Sequence, residues 1–100
     1  MRGLLSVAQA TPATAFASNR AWRLSPQVAL REEAFGALAY HYGNRRLVFL
    51  KSRALVAVVT ALEAYPTASA AVEAHVPAAV RARYVQALAR LAGSGVIDEA

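Results

Sequence analysis

Residues 35–50 read FGALAYHYGNRRLVFL. Two runs rich in aromatic and β-branched residues flank Gly43-Asn44, and both of those positions tolerate positive φ. The spacing predicts strands over Phe35–Tyr42 and Arg45–Leu50, joined by a two-residue hairpin turn. Such a turn sets the register. Tyr42 faces Arg45, His41 faces Arg46, Tyr40 faces Leu47, Ala39 faces Val48 and Leu38 faces Phe49. Side chains alternate between the two faces of a strand, so Leu38, Tyr40, Leu47 and Phe49 share one face. The opposite face is small and mixed, and the larger set is expected to face the core.

Upstream, Val28–Glu32 alternates in the same way, with Val28 and Leu30 on one face, and adds a third strand. Downstream the period changes. Ser52 reads as an N-cap, and Leu55, Val58, Val59, Leu62 and Tyr65 come at helical spacing until Pro66. Thr67 caps a second helix through about His75, and Pro77 suits the first turn of a third. There Val80, Tyr84, Leu88 and Leu91 form the apolar stripe and Gly93 ends it, with Val96 and Ile97 packing back. The expected architecture is α+β and winged-helix-like: a three-stranded antiparallel sheet followed by a three-helix bundle. Residues 1–20 have no apolar period and are expected to be a disordered tail, with one domain over 21–100. Trp22 is expected in the core or covering the sheet.

Composition narrows the function. The chain has 100 residues, enough for one modest core and a shallow groove. It has no cysteine, which removes disulfides, cysteine-ligated zinc and iron–sulfur clusters from this chain. The longest dense apolar stretch, Ala54–Leu62, is far shorter than the roughly 20 residues of a membrane span. The opening MRGLLSVAQATPATAFAS carries Arg2 and the small-residue run Ala15–Ala17. Its apolar part, Gly3–Ala8, is interrupted by Ser6 and too short for a secretory signal. A soluble, cytoplasmic protein is expected, with no membrane partner. The net charge of +5, carried by ten arginines and one lysine, favours acidic partners.

No catalytic constellation can be assembled. The one aspartate, Asp98, falls in the C-terminal tail of this reading. Glu32 and Glu33 are adjacent on a strand and point to opposite faces. His41 and His75 have no carboxylate at helical spacing to make a metal site, and no phosphate loop or nucleophile elbow is present. A binding module without cofactor or metal is expected, rather than an enzyme.

The cations carry more information. A three-strand meander leaves Arg45–Leu50 as an edge with unpaired backbone groups. Arg45, Arg46, Lys51 and Arg53 cluster around it. On a helical wheel Arg83, Gln86 and Arg90 lie opposite the apolar stripe, whereas Arg81 lies on a flank with Val85 and Leu88, where a groove could meet solvent. The expected peptide-binding residues are therefore Arg45, Arg46, Leu47, Val48, Phe49, Leu50, Lys51, Arg81, Val85 and Leu88. An open edge can also pair with itself and give a homodimer. The competing reading is a winged-helix nucleic-acid binder using Arg83, Gln86 and Arg90. That helix is alanine-rich and lacks Asn, Ser or Thr on its exposed face for base readout.

The segments Trp22–Arg31, reading WRLSPQVALR, Phe35–Gly43, reading FGALAYHYG, and Arg46–Lys51, reading RLVFLK, resemble the mycofactocin peptide-chaperone family. That family is similar to the peptide chaperone of pyrroloquinoline quinone biosynthesis and belongs to the recognition elements for ribosomally made, modified peptides. The resemblance runs from about Trp22 to Ile97 and is most specific in the Trp22–Lys51 block. Relatives often have proline around the glutamate of the first turn, where this chain has Glu32 and Ala34. The resemblance implies a non-catalytic adaptor that binds the leader of a short acidic precursor peptide. It would present that peptide to a radical SAM maturase, which brings the iron–sulfur chemistry. It further implies that the leader adds as a strand beside the third strand, in a groove shared with the third helix.

Overall fold

The computed structural model describes residues 16–100. Its elements run β1 (Trp22–Leu24), β2 (Val28–Glu33), β3 (Gly36–His41), β4 (Leu47–Leu50), α1 (Arg53–Ala61), α2 (Ala68–His75), α3 (Arg81–Gly93) and β5 (Ile97–Glu99), with 3-10 turns at Leu62–Ala64 and Ala78–Val80. The antiparallel meander β2-β3-β4 has the expected register, with Tyr40 opposite Leu47, Ala39 opposite Val48 and Leu38 opposite Phe49.

The buried face of that sheet is the opposite of the one expected. Ala37, Ala39 and Leu50 are buried, whereas Tyr40, Leu47 and Phe49 are 37%, 57% and 55% exposed. The physical reason is the approach of α1, which lies against β3. Alanines at the centre of the sheet let Leu55, Val58 and Val59 of α1 come close to the backbone and close the core. Bulk at those positions would hold the helix away, so the larger residues turn outward.

The hairpin turn also differs from the expected two-residue form. The loop spans Tyr42–Arg45 and is closed by the N–H of His41 donating to Arg46 O at 2.9 Å and the N–H of Arg45 donating to His41 O at 2.8 Å. The positive φ, 64°, falls on Arg45 and on neither Gly43 nor Asn44. Side chains explain the wider loop. Nδ1 of His41 accepts from the N–H groups of Gly43 and Asn44 at 3.0 and 3.1 Å, and Oδ1 of Asn44 accepts from the N–H of Arg46 at 2.9 Å. Amides that would otherwise face inward unpaired are satisfied within the loop.

The helix starts fall where the capping residues put them. Ser52 Oγ accepts from the N–H of Leu55, and Thr67 Oγ1 from that of Ala70. Pro77 opens the 3-10 turn that leads into α3. Gly93 is the last residue of α3, but the stop is made by Gly95, at φ 81°. The N–H of Gly95 donates to Ala92 O and that of Val96 to Leu91 O, a Schellman motif. It turns the chain so that Val96 and Ile97 enter the core.

A second sheet lay outside the expectation. β1 and β5 pair antiparallel, with Arg23 opposite Asp98 and Leu24 opposite Ile97, so Asp98 belongs to a strand and not to a tail. Three-residue strands are too short to show a period. The architecture is α+β with two antiparallel sheets and three helices among the described residues, rather than one sheet followed by a bundle.

The expected tail is only partly within the described residues. Residues 1–15 lie outside them, and residues 16–20 are held by the domain. Phe16 lies 4.8 Å from the Trp22 ring, whose Nε1–H donates to Ala17 O at 2.9 Å. The first amides of α2, on Ala68 and Ser69, donate to the carbonyls of Arg20 and Ser18, and Arg20 forms an ion pair with Glu99. Those amides are donors that a helix cannot satisfy internally.

A chain beginning at Ala21 should therefore be less stable in urea than one beginning at Phe16 by on the order of 2–4 kcal/mol, the scale of two orphaned amides and an uncovered indole. Gly36 is sensitive for a different reason. It has φ 149°, and a Cβ there would collide with the carbonyl oxygen of Leu50. Gly36→Ala should cost at least about 1–3 kcal/mol by the same measurement.

Candidate functional site: a cationic groove beside an open strand

Among the described residues β4 is an edge strand, paired to β3 on one side and to no strand on the other. Its free backbone groups can be assigned. His41 and Arg46 are joined by a backbone hydrogen bond, and in an antiparallel pair hydrogen-bonded and non-bonded positions alternate. Val48 and Leu50 therefore direct their N–H and C=O groups toward β3, and Leu47 and Phe49 direct theirs away from it. A ligand strand would meet Leu47 and Phe49.

Beside this edge lies an open groove of about 480 Å³, lined by Phe49, Lys51, Ser52, Leu55, Arg83, Tyr84, Ala87 and Arg90. β4 and the start of α1 supply one wall, and α3 supplies the other. The walls are tied together by Ser52 Oγ and the Tyr84 hydroxyl, 2.9 Å apart. Ser52 thus caps α1 and fixes α3 with the same oxygen. The hairpin loop is tied to the end of α3 as well, where Asn44 Nδ2 donates to Ser94 O at 3.3 Å. The lining combines apolar and aromatic surface with Lys51, Arg83 and Arg90 and includes no carboxylate. It is suited to an extended ligand with apolar side chains and negative charge.

Of the residues expected to bind peptide, Phe49 and Lys51 line this groove. Leu47 is exposed on the sheet face, Arg45 is exposed in the hairpin loop, and Arg46 is exposed at the pair with His41 that closes it. Leu50 and Leu88 are buried in the core, and Val48 and Val85 pack against it.

Arg81 is elsewhere. Its Nε–H donates to Val76 O at 2.8 Å and its Nη2 to Glu73 O at 3.2 Å, so it clasps the C-terminal end of α2. The apolar stripe of α3 was phased correctly in the sequence, but the side occupied by α2 was not legible. α2 takes the flank of Arg81, which leaves Arg83, Ala87 and Arg90, spaced i, i+4, i+7, to face β4. Arg83 and Arg90, both exposed, line the groove. Gln86 is exposed.

A second hollow of about 420 Å³ is lined by Glu32, Glu33, Gly36, Arg53, Val56, Ala57 and Thr60. No group of three metal-ligating side chains occurs among the described residues, and no described helix is long and apolar enough to cross a membrane.

Arg81→Ala should accordingly lower stability by about 1–3 kcal/mol, through loss of charged hydrogen bonds to a helix end. A denaturant titration would show the loss while the folded protein keeps its groove.

Comparison with known proteins gives a consistent picture. The model of the Peptide chaperone MftB family matches residues 21–98. A peptide chaperone MftB of Mycobacterium ulcerans is 50% identical over 102 residues, covering 97% of this chain and 94% of the relative. That of Mycobacterium tuberculosis is 45% identical over 103 residues, with the same coverage. That of Mycolicibacterium smegmatis is 48% identical over 77 residues, 76% of each chain. No solved structure matches the chain.

Proposed function

The chain belongs to the MftB peptide chaperone family, and on that premise we propose that it binds the leader of the mycofactocin precursor peptide as a strand added to β4. It is a chaperone-family protein and not an enzyme. In this reading it works in the cytoplasm and presents the bound precursor to a radical SAM maturase that carries out the chemistry. The observation that carries the proposal is the groove. An edge strand with free groups at Leu47 and Phe49 runs beside a wall bearing Arg83 and Arg90. Backbone pairing supplies affinity to a peptide without reading its sequence, and the pockets and charges beside it supply selectivity.

Magnitudes agree with a carrier that releases its cargo. A short added strand brings several hydrogen bonds, each roughly 0.5–1.5 kcal/mol net, and buries apolar side chains at about 1.5–3 kcal/mol each. Ordering the peptide offsets several kcal/mol of that, which leaves about −8 kcal/mol, a micromolar complex. The same edge would suit a homodimer through β4, which bound leader would displace.

A titration with fluorescent leader peptide tests the placement. Arg83→Glu/Arg90→Glu should weaken binding by about tenfold or more at low salt, equivalent to about 1.4 kcal/mol, and by less at 1 M salt, where the Debye length falls to about 3 Å. Arg81→Ala should bind as the parent does once corrected for folded fraction. The reverse order of effects would move the peptide out of the groove.

A further inference from the structure

All five of the exposed large hydrophobic residues among those described, Phe35, Tyr40, Tyr42, Leu47 and Phe49, belong to one surface. Tyr40, Leu47 and Phe49 stand on the outer face of the β2-β3-β4 sheet, with Leu38 partly exposed between them. Phe35 stacks edge-on against Phe49 with ring centroids 5.9 Å apart, and Tyr42 against Tyr40 at 5.4 Å. None of the described elements covers this face, because α1 packs on the other one. Scattered exposed apolar residues are ordinary, but their collection on one face marks a site of association.

We propose that this sheet face is a second docking surface, occupied by a folded protein whose own apolar surface is bordered by carboxylates. Three features choose that occupant. An extended peptide gains its affinity from backbone pairing, and within the sheet those groups lie in the plane and are already paired, so the face offers side chains alone. A folded, convex or flat apolar surface is what such a face can bury.

The charges choose the sign. Arg31, Arg45 and Lys51 lie on or beside the face, and Glu33, the carboxylate among them, is engaged by Arg31 at 2.7 Å. A second copy of this chain would bring the same cations against each other, whereas an acidic partner would neutralise them. The third feature is continuity. Phe49 belongs to this face and also lines the groove, so a protein on the face lies next to a peptide in the groove. This deepens the reading above and rests on it. The occupant is the enzyme that modifies the peptide, held where the peptide emerges.

The test uses the full chain, the leader peptide and the radical SAM maturase as separate binding partners. Tyr40→Glu/Tyr42→Glu changes two exposed side chains that belong neither to β4 nor to the groove lining, and Tyr40→Ser/Tyr42→Ser is the milder companion should the first not fold. Either variant should bind leader within about twofold of the parent and bind the maturase at least tenfold more weakly. Arg83→Glu/Arg90→Glu should do the reverse, losing leader and keeping the maturase. Maturase binding unchanged in a folded sheet-face variant, with leader binding intact, overturns this inference and leaves the peptide reading standing. A parent that binds neither partner overturns both. Sedimentation showing a parent dimer that Tyr40→Glu/Tyr42→Glu dissociates would also overturn it, by giving the face to a second copy.

Discussion

The close approach of α1 to the centre of the sheet, permitted by Ala37 and Ala39, decides most of the architecture. It puts Leu50, Leu55, Val58 and Val59 into one core and turns Tyr40, Leu47 and Phe49 to the outside. It also fixes where α1 begins. Ser52 stands at the corner between β4 and α1, caps the helix and meets the Tyr84 hydroxyl of α3. A groove opens at that corner because the serine and the tyrosine hold α3 alongside β4, where no described strand pairs with Leu47 and Phe49.

Two surfaces of different kinds result. The edge offers hydrogen-bonding groups in a line, with apolar recesses and cations beside it, and suits a chain that is not folded. The outer face offers aromatic and aliphatic surface without free backbone, and suits a partner that is. Their meeting at Phe49 means that one small domain can hold an unfolded ligand and a folded one side by side. The chain has no cysteine, so no cysteine-ligated iron–sulfur cluster can be built on it.

Much of this was legible in the sequence where local chemistry is decisive. Ser52 and Thr67 declare helix starts through their hydroxyls, and Pro66 declares a stop. The strand register comes from the length of the hairpin, and it survives the change from a two-residue to a four-residue loop because the same residues remain opposite one another. The features that failed depend on distant partners. Tyr40, Leu47 and Phe49 look like core until one knows that alanines admit the helix. Arg81 looks like a groove residue until α2 is placed beside it, and β1 pairs with β5 through strands too short to signal themselves. The resemblance in Trp22–Lys51 identified the family, but the wall formed by Arg83, Tyr84, Ala87 and Arg90 had to come from the packing of α3.

Pairing of the leader with β4 through the backbone of Leu47 and Phe49 is open to direct measurement by residue-resolved amide hydrogen exchange, with and without leader peptide. Strand addition there predicts that the Leu47 and Phe49 amides become at least about tenfold slower to exchange on binding, the change expected when an exposed amide gains a stable hydrogen bond. Leu30 and Glu32 of β2, at the opposite edge, should not change. Saturating peptide that leaves Leu47 and Phe49 exchanging as in the free protein, or that protects the β2 edge in their place, would contradict it.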